Sequence, residues 1–285
     1  MNETEYKIKG WQRILLLILP YFFIVGIFQI IGSATVGVDI TNLEAEHTSI
    51  QDLIINLFGL AGTFLVLWFF IKFIDKEQFI ELGFQTKSRL GEFIIGIIIG
   101  LIIMSFGYFI LIYLEEIYFE KINFDFKELI ISLSLFTIVA VVEETLLRGY
   151  VLKNLMNSFN KYLALIISSI LFSLMHGANP NIDLFSLFDL FLAGILLGLS
   201  YLYTKNLWFP IALHLSWNLF QTLLGFNVSG QDTYSIIEFQ IKESNLVNGG
   251  AFGFEGSYLS IIAQIITIIG IGIYYNRKKT NHNTV

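Results

Sequence analysis

The chain has 285 residues, of which 55% are hydrophobic, 16% aromatic and only 14% charged, and its mean hydropathy is +0.70. That composition excludes a soluble globular domain of this size and marks an integral membrane protein. The absence of cysteine excludes disulfides, thiolate zinc sites and a cysteine nucleophile, and a formal charge of −6 excludes a nucleic-acid partner.

A hydrocarbon core about 30 Å thick needs about 20 apolar residues per helix. Runs of that length predict an all-α polytopic protein with eight transmembrane helices, near residues 11–33, 50–74, 92–114, 128–152, 161–177, 184–204, 208–225 and 257–275. Barrel strands would instead show short segments of alternating polarity. Acidic residues near the start, followed by an apolar run longer than a signal-peptide core, predict a retained first helix. No repeat or second domain is evident, so 1–285 reads as one integral membrane domain, with the chemistry gathered in 130–220.

Basic residues set the expected orientation. Lys7, Lys9, Arg13, Lys72, Lys76, Lys87, Arg89, Lys153, Lys161, Lys205, Arg277, Lys278 and Lys279 flank one set of helix ends; only Lys121, Lys127 and Lys242 flank the other. The positive-inside rule then places both termini in the cytoplasm and makes the loops at 34–49 and 226–256 external. The latter loop is long enough to cap a site or meet a partner. Abundant Ile, Asn and Lys suggest an AT-rich bacterial source, hence a bacterial cytoplasmic membrane.

Within the fourth apolar segment stands VVEETLLRGY, residues 141–150. An ionised side chain at mid-bilayer costs about 2.5 to 3.5 kcal/mol on insertion scales, so Glu143, Glu144 and Arg148 demand compensation. Glu144 and Arg148, four apart, can pair on one helix face. Glu143, rotated about 100° away, is left available for chemistry. The plainer alternative is a helix end emerging into water.

Two of the four histidines also fall in apolar segments: His176 in ILFSLMHG, with Phe172 one turn before it, and His214 in IALHLSWN, with Asn218 one turn after it. His47 falls in an external loop and His282 in the tail. The fourth and fifth helices should form a hairpin turning near 157–162, and Glu143 and His176 are equidistant from that turn, so they can face each other. His214 lies about 12 Å from its own turn and Glu143 about 24 Å from its turn at 1.5 Å per residue, so the first hairpin, through 150–160, should protrude into the cytoplasm. The four side chains are then expected to meet in a hollow beneath the inner leaflet's surface. Asp183 reads as a helix-start residue and Asp189 as a supporting or structural residue.

EETLLRG, FSLMH and HLSWN resemble the ordered motifs EExxxR, FxxxH and HxxxN of the CAAX protease and bacteriocin-processing (CPBP) family, intramembrane endopeptidases that include the type II CAAX prenyl proteases. The resemblance covers roughly 130–220, including FLAGILLGLSYLYTKNLWFPIALH, and departs from many members at Leu147, where phenylalanine is common. It implies catalytic roles for Glu143 and His176 in activating water, for His214 and Asn218 in holding the oxyanion, and for Glu144 and Arg148 as a supporting pair.

Peptide hydrolysis requires a base, oxyanion donors and a proton for the leaving amine, and these residues can supply all three. Ser173 and Ser216 sit in no nucleophile-elbow setting. Zinc held by Glu143, His176 and His214 is the competing version, disfavoured because HExxH is absent, so no cofactor is expected. The expected partners are the lipid bilayer and a peptide or membrane-protein substrate. Two readings from other classes stay open: a bacteriocin immunity or binding protein, and a transporter using the buried charges as a proton relay, for which no inverted repeat is found.

Overall fold

The computed structural model describes residues 8–41 and 47–282, and within them every expected segment is helical. In chain order these are α1 (Gly10–Thr35), α2 (Ser49–Phe69) with a wider π turn to Asp75, α3 (Leu90–Tyr113), α4 (Phe126–Glu144), a π-helical stretch Thr145–Leu152, α5 (Lys153–Met156), α6 (Lys161–Met175), α7 (Leu184–Thr204), α8 (Trp208–Leu223) and α9 (Tyr258–His282). Among the described residues six stretches are long and apolar enough to cross a membrane: Gly10–Thr35, Ser49–Asp75, Leu90–Tyr113, Phe126–Met156, Leu184–Thr204 and Tyr258–Arg277. The expectation of eight spans is met to that extent. The other two helices, α6 and α8, have 15 and 16 residues, about 22 to 24 Å at 1.5 Å per residue and short of a full hydrocarbon core.

Local chemistry sets several boundaries. Asp125, Asn160 and Asp183 occupy N-caps and accept from backbone amides of the first turns of α4, α6 and α7. Asp183 is thus the helix-start residue expected. The α6 helix stops at Met175 because Gly177 and Pro180 follow and His176 forms its C-cap. Large apolar side chains such as Leu19, Phe23, Phe106 and Ile266 point outward, as lipid-facing residues do.

The helix ends gather at two opposite faces. At the first, Trp11 N donates to Ser158 Oγ (3.2 Å), Arg13 pairs with Asp75 (2.6 Å), Lys153 with Glu77, and Asn206 donates to Gln85 O (2.7 Å). At the second, Gln51 donates to Val36 O (3.1 Å), Ser49 meets Glu128, and Asn179 donates to Ser229 O (3.1 Å). Two strands, β1 (Ile117–Ile122) and β2 (Ile237–Ile241), pair antiparallel there, with a bulge between Phe119 and Lys121. Successive helices therefore alternate in direction, and the ends of α1 and α9 nearest the termini share the first face. The side chains of Lys7, Lys278, Lys279 and His282 lie outside the described residues.

The hairpin turn falls at 157–160, as expected, but 150–160 does not stand out into solvent. Tyr150, Val151, Leu152, Asn154 and Leu155 are buried, because Gly10 closes onto the Asn154 carbonyl and the 77–81 segment packs alongside. A side chain at Gly10 would place its Cβ 1.9 Å from that carbonyl oxygen, so only glycine permits the approach.

Candidate active site

The two glutamates close α4, just before the backbone widens into the π helix at Thr145. Such stretches are rare and recur at functional sites. Nothing in the periodicity of the sequence signals it.

Arg148 is the largest fully buried side chain among the described residues. Its Nη1 donates to Glu144 Oε1 at 2.7 Å, its Nη2 reaches Gly194 O at 3.3 Å, and its guanidinium carbon lies 4.5 Å from the centre of the Phe172 ring. One cation thereby ties the π helix to α6 and α7. The glycine spacing of α7 makes this possible: a Cβ on Gly194 would lie 2.7 Å from Ser169 Cα, so only glycine lets the two backbones come this close.

Glu144 has a second partner, which the sequence did not suggest. His214 Nδ1 lies 2.9 Å from the same Oε1. A carboxylate only accepts, so Nδ1 carries a proton and Nε2 is the ring nitrogen turned elsewhere. Glu144, Arg148 and His214 thus form one buried chain of charge-assisted bonds.

Glu143 points away from that chain, as the helical rotation predicts. Its Oε2 lies 3.9 Å from His176 Nε2 and has no hydrogen-bond partner among the described residues. His176 Nδ1 lies 2.9 Å from Phe172 O. That carbonyl also only accepts, so Nδ1 is the protonated nitrogen and the neutral ring presents a lone pair at Nε2. The Phe172 ring fixes both imidazoles, with centroids 4.8 Å from His176 and 6.1 Å from His214.

Glu143, His176, His214 and Asn218 all line one cavity of about 360 Å³. Its wall at the second face comes from Asp52 and Asn56 of α2, to which the sequence gave no pointer, and from Ser229, Gln231 and Asp232 of the long loop whose length suggested a cap. The cavity therefore opens at the second face. The expected hollow at the face of the termini is not what forms, because that end is closed by the buried π helix, by Tyr201 donating to Leu82 O, and by the Gly83–Leu207 contact.

The remaining candidates have other partners. Ser173 Oγ donates to Leu187 O and Ser216 Oγ to Gly96 O and Leu213 O. Asp189 is fully buried, accepts from Gln264 Nε2 at 2.8 Å and faces α9, away from the cavity lining. His47 pairs with Asp52 at 3.0 Å. Among the described residues no three His, Asp or Glu side chains cluster so as to hold a metal ion; Glu143 Oε2 and His176 Nε2 lie 3.9 Å apart at the cavity, and His214, bonded to Glu144 through Nδ1, lines it too.

No curated protein and no solved structure matches this chain. Residues 125–220 match the family model described as Rce1-like, type II CAAX prenyl endopeptidase. The matched stretch begins at the cap of α4 and runs past Asn218, so it contains every side chain that meets at Phe172. Over residues 125–220 the chain is therefore similar to the Rce1-like type II CAAX prenyl endopeptidases.

Proposed function

We propose that the protein is an intramembrane endopeptidase of the glutamic type, which hydrolyses peptide bonds with a water activated by Glu143 and His176. The observation that carries this reading is that Glu143 Oε2 and His176 Nε2 are two acceptors 3.9 Å apart, both lining one cavity. Two acceptors repel each other unless a donor of two protons sits between them, and water is such a donor. Glu143 takes one proton as the water oxygen attacks the carbonyl carbon. It then returns that proton to the leaving amine as the C–N bond breaks.

The tetrahedral oxyanion needs donors already aimed at it. The Asn218 amide supplies one without adding charge. His214 supplies another from Nε2 when both ring nitrogens are protonated, with Glu144 as its counter-charge, in the way a buried carboxylate supports an imidazolium. That protonation also balances the interior: Glu143 and Glu144 then face Arg148 and His214, two charges of each sign, which a medium of low dielectric favours. No metal enters these steps. The test is comparison of new protein N-termini in membranes from cells carrying wild type or Glu143→Gln. A set of termini lost with Glu143→Gln, reproduced by purified protein on the matching peptides, supports the reading; identical sets refute it.

A further inference from the structure

The site and the charge distribution point in opposite directions along the molecule. Among the described residues, the segments joined at the first face, near the ends of α1 and α9, contain twelve Lys and Arg against four Asp and Glu. The described residues of the segments joined at the second face (36–41, 47–52, 114–128, 177–184 and 224–257) contain three Lys against twelve Asp and Glu. A bias of this size in short loops sets orientation, with the basic face in the cytoplasm. Yet the cavity holding Glu143, His176, His214 and Asn218 is walled at its mouth by Asp52, Ser229, Gln231 and Asp232, all on the acid-rich face, and none of its lining comes from the basic one.

From these two observations we propose that the active site is served from outside the cytoplasmic membrane: the peptide bonds it takes lie in exported peptides or in the outer segments of membrane proteins. This proposal rests on the peptidase reading for its chemistry, while its orientation stands by itself. The mouth is built to stay in place. Asn179 and Asn181 donate to Ser229 O and Gly230 O, Glu255 accepts from Ser229 N and Oγ (both 2.8 Å), and Thr222 Oγ1 lies 2.6 Å from Thr233 Oγ1. Tyr234 bonds both Asp125 N and Asn123 O, joining the mouth to the β1 segment. A substrate therefore enters a preformed cleft walled by the 224–257 loop.

The chain has no cysteine, so single cysteines in the full-length protein report accessibility without background. Asp232→Cys and Lys121→Cys lie exposed on the mouth face, and Lys87→Cys and Asn157→Cys on the other. A membrane-impermeant maleimide added to intact cells should label the first pair, and the second pair only after permeabilisation. Val139→Cys, in the cavity wall, should be reached by a small charged thiol reagent from the same side as Asp232→Cys. Labelling of Lys87→Cys and Asn157→Cys in intact cells overturns the proposal, as does reaching Val139→Cys only from the cytoplasmic side. The N-termini lost with Glu143→Gln should fall in outer segments, and their falling in cytoplasmic segments also overturns it. Correct labelling with no such termini would instead count against the peptidase reading.

Discussion

Glu144 and His214, seventy residues apart, share a 2.9 Å hydrogen bond at the centre of the molecule, and the carboxylate oxygen that makes it also holds Arg148 at 2.7 Å. Glu144, Arg148 and His214 are therefore one unit. Glu144 fixes which nitrogen of His214 faces the cavity, and Arg148 fixes Glu144.

Removing one member of a buried pair leaves an unpaired charge. Arg148→Ala should destabilise the folded protein by about 3 to 5 kcal/mol, and so should Glu144→Ala. The double variant should lose less than the sum of the two, because it leaves one fewer orphaned charge. Thermal unfolding of the four proteins in the same detergent completes the cycle; simple additivity would mean that the pair is not coupled.

Glu143 and His176 predict the opposite pattern. Neither closes a hydrogen bond to the other, and both side chains are partly open to the cavity. Glu143→Gln and His176→Ala should each lower turnover by a factor of about 10² to 10⁴, the range for a lost general base, while leaving the melting temperature within a degree or two. The double variant should be little slower than the worse single one, since both act on the same water. Single-turnover kinetics on a cleaved peptide, alongside the melting curves, separates this from misfolding.

In the proposed mechanism Asn218 contributes only once the oxyanion exists. Asn218→Ala should reduce kcat by about 10² to 10³ with little change in KM, as removal of an oxyanion donor does. A change confined to KM would place Asn218 in substrate binding instead.

Much of this was legible in the sequence because helices convert spacing into direction. The i, i+4 relations of Glu144 with Arg148 and of His214 with Asn218, the rotation that separates Glu143 from Glu144, and the nearly equal distances of Glu143 and His176 from the 157–160 turn all follow from helix geometry. What stayed hidden is tertiary. The Glu144–His214 bond depends on α4 and α8 crossing at that level, which no local pattern encodes. The covering of 150–160 depends on Gly10 meeting Asn154, and the mouth on a loop whose residues are ordinary polar ones. The direction in which the cavity opens depended on both. Counting distance from the turns gave the depth of the site but not the end that is closed.

The α6–α7 contact gives a purely steric prediction. A methyl group at Gly194 would sit 2.7 Å from Ser169 Cα and 2.8 Å from its Cβ, backbone-level neighbours that cannot swing aside. Gly194→Ala should destabilise by about 1 to 3 kcal/mol, as overpacking does, and should shift the carbonyl that accepts from Arg148. By contrast, Gly26→Ala, where nothing lies within 4 Å, should be neutral or slightly stabilising, since alanine is the better helix former. Melting temperatures of the two variants test whether the close approach, or glycine flexibility in general, is what the helix needs.

Metal dependence separates the two hydrolytic mechanisms. A catalytic zinc takes three protein ligands and an open position, and among the described residues no three His, Asp or Glu side chains are gathered closely enough to hold one. A zinc held by side chains not already gathered into a ligand set would be bound weakly and stripped easily. Prolonged dialysis against a strong chelator should leave the rate of peptide cleavage within about twofold of the untreated protein, a loss of less than about 0.4 kcal/mol in transition-state stabilisation. Loss of activity that returns with zinc and not with magnesium or calcium would mean that Glu143, His176 and the Nε2 of His214 close on a metal with Glu144 supporting His214 from behind, and Glu144→Gln would then weaken zinc binding by about 10- to 100-fold.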